Sequence, residues 1–245
     1  EKYLNKLISV EKISDNHISI IFNLWQEQYK KQLQINKNLP RIWLNNEPFI
    51  LFISKYIENK NGIVLLYNRK VIGYLVYDEL NFHYEKTIFV PIIGHAAITN
   101  YKRFAYERMY QYLSENWVKN SHLNHIICYF SSDTVLKDLF FQYGFGLYVI
   151  DAYRSVNLIE SIDNNVEVIK LTESHLNDFV QLEIEADNYF RKSPSFLVSK
   201  ENNIEEIKRM TNSDSFAVFL LKENSSIIGF MRIEIRSNND PITLT

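Results

Sequence analysis

The stretch VEKISDNHI at residues 10–18 returns, little altered, as VIKLTESHL at residues 168–176. A second echo follows it: Gly73 in VIGYLVYDEL is answered by Gly229 in IIGFMRIEI. The two histidines of the first match, His17 and His175, lie 158 positions apart (175 less 17), and the two glycines 156 (229 less 73). Matching order and nearly matching offset constrain the chain more than its composition does, because a repeat of roughly 157 residues means one unit folded twice. The first copy is expected to fill 1–158, with a polar linker at 159–165 and the front half of a second copy at 166–245. More than eighty residues follow Gly73 in the first copy, whereas sixteen follow Gly229. A half-sheet with a bare edge calls for cover by the first domain, for further chain, or for self-association into a homo-oligomer.

Composition narrows the function classes. A net charge of −2 and a pI near 6.4 provide no basic field for nucleic acid and do not favour a membrane surface, and the polar N-terminus does not read as a signal peptide. The longest uncharged apolar run, TIFVPIIGHAAI at 87–98, is about half a membrane span. Cys128 is the only cysteine, which excludes an intrachain disulfide and points to a reducing cytoplasm.

Apolar spacing predicts the elements. A strand through LISVEKI leads to Asp15, expected to cap a helix whose buried stripe is Ile18, Ile21, Phe22, Trp25 and Tyr29. A second helix is expected from near Pro48, burying Phe49, Phe52, Ile53, Tyr56 and Ile57. GIVLLYN and VIGYLVYDEL read as a hairpin around NRK. The run 87–98 reads as a central strand entering the helix YKRFAYERMYQYLSENWV. A strand at 125–130, a helix at 133–142, the turn YGFG and a last strand through LYVIDAYRSV complete the first copy. In the second, VEVIKLTESHLNDFVQL repeats strand, cap and helix, IEEIKRM offers the second helix, and FAVFLLKENSSIIGFMRIEI repeats the hairpin.

This order, with IIGHAAI, then SSDTVLKDLFFQYGFG, resembles the GNAT superfamily of acyl-CoA-dependent N-acyltransferases, and more narrowly its tandem members with a degenerate first domain. The resemblance implies an α/β (α+β) fold: a mixed, mostly antiparallel sheet with helices on both faces, present twice. It implies acetyl-CoA as acyl donor and a small-molecule or peptide amine as acceptor, the deprotonated amine attacking the thioester directly. The turn after 87–98 would hold the pyrophosphate, so Ala97, Ile98, Thr99, Arg103, Phe104 and Ala105 become cofactor-binding candidates, with Asp133 at the cofactor arm. The family's loop has Gln or Arg, two residues, Gly, one residue, then Gly or Ala; in NYKRFA only Ala105 fits, and side chains stand where bare backbone should meet phosphate. Thr99 or Asn100 is expected to cap the freed amides, and Lys102 and Arg103 to attract an anion. Asp133 reads equally as the N-cap of the next helix.

The family's acid, a tyrosine four residues before the glycine of the turn, is here Phe140, which has no proton to give. Tyr143, with Tyr129, is its substitute candidate, set against a packed surface aromatic. His95 is the candidate base, set against a satisfied interior histidine. Asp78 and Glu79, at the end of the third strand, would draw a cationic amine or simply be solvated. His122 and His125 lack partners for a metal site, and His17 and His175 are expected to share a local role at a helix start. Two functions follow: an acetyltransferase whose chemistry lies mainly in the second domain, or a non-catalytic pseudo-acetyltransferase scaffold or binding module.

Overall fold

The computed structural model describes residues 7–82, 84–152, 166–192, 205, 207–208 and 214–235. Those up to 152 belong to one compact unit and those from 166 to a second.

In the first unit, β1 (Ile8–Lys12), β2 (Gly62–Tyr67), β3 (Lys70–Val76) and β6 (His95–Ala97) form an antiparallel sheet in that order. Alternation along the strands divides the core. Val64, Leu66, Tyr74 and Val76 face α1 (Ile18–Ile35) and α2 (Asn46–Asn59) in one buried cluster. Ile63, Leu65 and Leu75 face α3 (Lys102–Lys119) and α4 (Thr134–Gln142) in another. Helices therefore cover both faces of a mostly antiparallel sheet. Trp25, Tyr29, Phe49 and Tyr106 are each no more than 1% exposed, and every such large apolar burial contributes about 1.5–3 kcal/mol before entropy is counted. The first hairpin turns through Asn68 and Arg69, both with positive φ (52° and 63°), the twist a two-residue connection requires.

The expected strand over 87–98 is broken and is not one central strand. Its first part is β5 (Glu85–Val90), which pairs antiparallel with β4 (Asp78–Phe82) and parallel with β7 (Asn124–Ile127) in a separate three-stranded sheet. Pro91 then turns the chain through a short 3-10 helix at Ile92–Gly94, and β6 rejoins β3 at the edge of the first sheet. Proline has no N–H for a ladder, so a central strand cannot run through it. Asp78 and Glu79 thus open β4 rather than close a third strand. The strand expected at 125–130 stops at Ile127. The last strand does not form over residues 147–152, where Leu147 and Ile150 are 60% and 65% exposed; the remainder of that run lies outside the described residues.

Helix starts carry a further correction. The residue before the first turn is Ser14, not Asp15, which begins a 3-10 turn leading into α1. α2 starts at Asn46, placing Pro48 in the first turn, where its missing N–H is harmless.

The second unit has β8 (Val166–Lys170), β9 (Phe216–Glu223) and β10 (Ser226–Glu234) in the order β10-β9-β8, all antiparallel, with α5 (Leu176–Lys192) on one face. Two details of the first unit recur in it. The hairpin β2–β3 skips Ile72, the residue before Gly73, and β9–β10 skips Ile228, the residue before Gly229. Ser14 Oγ bonds His17 Nδ1 at 3.0 Å, and Thr172 Oγ1 bonds His175 Nδ1 at 3.1 Å. The expected linker and most of IEEIKRM lie outside the described residues, of which Glu205, Ile207 and Lys208 are helical.

Candidate active site

The sheets of the first unit part at a definite point. Val90 and Ile127 are the last pair between β5 and β7, and the Cys128 N–H still reaches the Val90 carbonyl at 3.0 Å. Beyond it β5 leaves through Pro91, and β6 and the segment after Cys128 share no ladder. This opening is a notch with backbone groups on both banks, flanked by the N-termini of α3 and α4.

The notch is filled from within. His95 is fully buried and donates from Nε2 to the Cys128 carbonyl at 2.6 Å. A carbonyl only accepts, so Nε2 carries the proton and Nδ1 is the acceptor, taken by the Tyr106 hydroxyl from α3. Both ring nitrogens are thus committed. Burial pushes the imidazole pKa down to about 4, against the opposing hydrogen bond to Cys128, and burial raises the Tyr106 phenol well above its usual range. Gln28 of α1 adds a long contact, Nε2 to the His95 carbonyl at 3.5 Å.

The mouth is closed by charge. Lys102, first residue of α3, reaches Asp133 at 2.5 Å, with side chains only 17% and 6% exposed. Asp133 is also the N-cap of α4, accepting from the Leu136 N–H at 3.2 Å. A lysine at the positive end of a helix is unfavourable alone, and the carboxylate offsets it. Arg103 holds Gln142 at 2.6 Å and Glu107 at 2.9 Å. Thr99 lies in a 3-10 turn and takes the Lys31 ammonium at 2.9 Å, and α3 has no side-chain cap, contrary to the cap expected from Thr99 or Asn100.

The other candidates divide around this notch. Ala97 pairs with Gly73 across the sheet, and the Ile98 N–H bonds the Ile72 carbonyl at 2.9 Å. Ala105 is fully buried against the sheet, and Phe104 lies under the Arg108 guanidinium at 5.6 Å. Tyr143 stands apart, 45% exposed and stacked on Tyr110 at 5.6 Å. Asp78 is engaged by the Tyr56 hydroxyl at 2.7 Å and by Lys55 at 3.5 Å. Sequence reasoning missed Tyr106, which packs at a helical spacing like any core aromatic and carries no separate signal. Among the described residues no three His, Cys, Asp or Glu cluster to hold a metal, and no helix is long and apolar enough to cross a membrane.

No family model matches the chain, and no curated protein does. Among solved structures it is similar to an aminoglycoside acetyltransferase from an uncultured soil metagenomic sample in complex with sisomicin, at 13% identity and TM-score 0.45, over 63% of this chain and 99% of that one. It is similar to the PaiA N-acetyltransferase of Thermoplasma acidophilum in complex with coenzyme A, at 11% identity and TM-score 0.46, over 60% and 94%. A third is the aminoglycoside N-acetyltransferase AAC(6')-Iy in complex with CoA, at 9% identity and TM-score 0.43, over 61% and 95%.

Proposed function

We propose that the chain is a tandem of two GNAT-type modules, in which the first is a non-catalytic scaffold and transfer of an acetyl group from acetyl-CoA to a primary amine belongs to the second. The duplication is supported by the paired Ser/Thr–His helix starts and by the bulge before Gly73 and Gly229. The scaffold role of the first module rests above all on the filled notch. His95 lends neither ring nitrogen to a substrate, and Lys102 and Asp133 neutralise each other where an anionic cofactor would dock. Acetyl-CoA does not fit these residues, which leaves the first module without a site for acyl transfer.

Isothermal titration of acetyl-CoA and of coenzyme A into the full chain tests this. Any binding is expected to survive Lys102→Met and Asp133→Asn. Micromolar binding abolished by either substitution, in a variant whose circular dichroism shows that it is still folded, overturns the scaffold assignment. Absence of binding by residues 1–245 with binding by a chain that extends past Thr245 supports a site in the second module; absence from both, together with no acetylation of primary amines, removes acyl transfer and leaves the alternative of a binding module throughout.

A further inference from the structure

In the first unit β7 is the outer strand of its sheet, with β5 on one side and, among the described residues, no strand on the other. The ladder decides which of its backbone groups are left over. The Cys128 N–H bonds the Val90 carbonyl, so Cys128 and, by alternation, Ile126 and Asn124 turn their N–H and C=O groups towards β5. His125 and Ile127 turn theirs outwards, where no backbone group of the described residues bonds them.

Beside this edge lies a cavity of about 520 Å³, walled by β7 itself and by Leu39, Ile92, Phe130, Phe140 and Phe145. Residues 147–152 also line it without joining a ladder, and Leu147 and Ile150 stay 60% and 65% exposed there. Charge on the wall is one-sided. Asp151 already has a partner. The His125 ring is bonded through Nδ1 to the Tyr110 hydroxyl and through Nε2 to the His122 carbonyl, and burial lowers its pKa, which keeps it neutral at pH 7. Lys137 of α4 is exposed at the cavity, and among the described residues no carboxylate meets it. A mostly apolar cavity of this size with one unmatched cation suits an apolar ligand that carries a negative charge.

We propose that the β7 edge is a receptor for the C-terminal end of an extended polypeptide from a partner protein: its backbone continues the ladder at His125 and Ile127, its apolar side chains enter the cavity, and its terminal carboxylate pairs with Lys137. Between them these features select one ligand. A fatty carboxylate would fill the cavity and pair with Lys137, but it would cover the outward N–H and C=O groups without bonding them, which is unfavourable. An internal peptide segment would bond the edge and leave Lys137 unmatched. The chain passes from the end of β7 into the start of α4, so a strand added parallel to β7 ends with its carboxylate on the side of Lys137 and of the helix's positive end. The receptor is independent of acyl transfer, and binding of acetyl-CoA or its absence leaves it unchanged.

The full chain, labelled with nitrogen-15, is titrated with the acetylated pentapeptide TVTVI as its free acid, with the same peptide amidated at its C-terminus, and with decanoate. Saturable shifts of the His125 and Ile127 amides, with slower hydrogen exchange at both, are expected with the free acid. Amidation weakens binding about tenfold, and decanoate leaves both amides in place. Lys137→Glu weakens binding of the free acid by at least about tenfold and leaves that of the amide unchanged. Ile127→Pro abolishes binding of both peptides, and the fold tolerates it because the lost N–H faces away from β5. Should Ile127→Pro fail to fold, Lys137→Glu at its exposed position still decides. Equal affinity for acid and amide, full affinity in Lys137→Glu, saturable decanoate binding at the same amides, or no saturable shift at roughly 1 mM peptide overturns the proposal. So does self-association of the chain that Lys137→Glu reverses, which would seat a second copy on the edge.

Discussion

His95 gives its Nε2 proton to the carbonyl of Cys128, 33 residues further along the chain and 2.6 Å away. That bond spans the gap the parting sheets leave, and it fixes the tautomer in which Tyr106 completes the ring's hydrogen bonding.

The first prediction concerns pH. An unfolded histidine titrates near pH 6.5, whereas burial holds His95 down to about 4, so the unfolded chain takes up this proton first. His95 leaves stability unchanged above about pH 6.5 and erodes it as the pH falls from there to about 4, by about 2 kcal/mol at pH 5. Burial of His125 acts in the same direction. Urea denaturation at pH 7 and pH 5 measures the drop, and His95→Gln removes the larger part of it.

Lys102 and Asp133 are expected to be strongly coupled. Removing either partner leaves a charge in a largely buried setting, a loss of about 3–5 kcal/mol, and Asp133→Ala also removes a helix cap. Lys102→Met with Asp133→Asn should cost less than the two single losses added together. A double-mutant cycle by chemical denaturation reads the difference, and strict additivity would contradict the pairing.

The two bulge glycines should differ. A Cβ at Gly73 would stand 3.2 Å from the Ala96 carbonyl oxygen and 3.3 Å from Met109 Cε, with backbone on one side that cannot yield. Gly73→Ala is therefore expected to cost about 1–3 kcal/mol. A Cβ at Gly229 meets nothing nearer than 3.7 Å, so Gly229→Ala should be neutral or stabilise by about 0.5 kcal/mol through the unfolded state. Thermal unfolding of both variants decides it.

Helix starts give the fourth prediction. Ser14→Ala and Thr172→Ala each remove the hydroxyl that bonds a histidine Nδ1 at the first turn. Each should cost about 1 kcal/mol, and amide hydrogen exchange should show faster opening at the start of α1 and of α5 respectively. Unchanged exchange at both sites would assign the histidine contacts no role in capping.

Much of the fold was legible because it is written in local spacing. The stripes Ile21, Trp25, Tyr29 and Phe49, Phe52, Ile53, Tyr56 are buried where their helical period placed them. The similar contacts of His17 and His175 with a hydroxyl at a helix start were readable from the matching stretches VEKISDNHI and VIKLTESHL. The break at Pro91 is legible in the residue itself and not in the hydropathy, which is continuous over 87–98 and carries no information about a missing N–H. The last strand failed for another reason, since a strand exists only where a partner edge receives it, and residues 147–152 pair with none among the described residues.

The sequence by itself determined the helices of the first unit, the hairpin of each unit and the matching of VEKISDNHI with VIKLTESHL. Composition and periodicity are properties of neighbours in the chain, and these features need nothing else. Only the tertiary structure decided that Lys102 meets Asp133 across 31 residues and that His95 and Tyr106 fill the notch. Those facts depend on which side chains packing brings together in a low-dielectric interior, and no local pattern encodes that geometry.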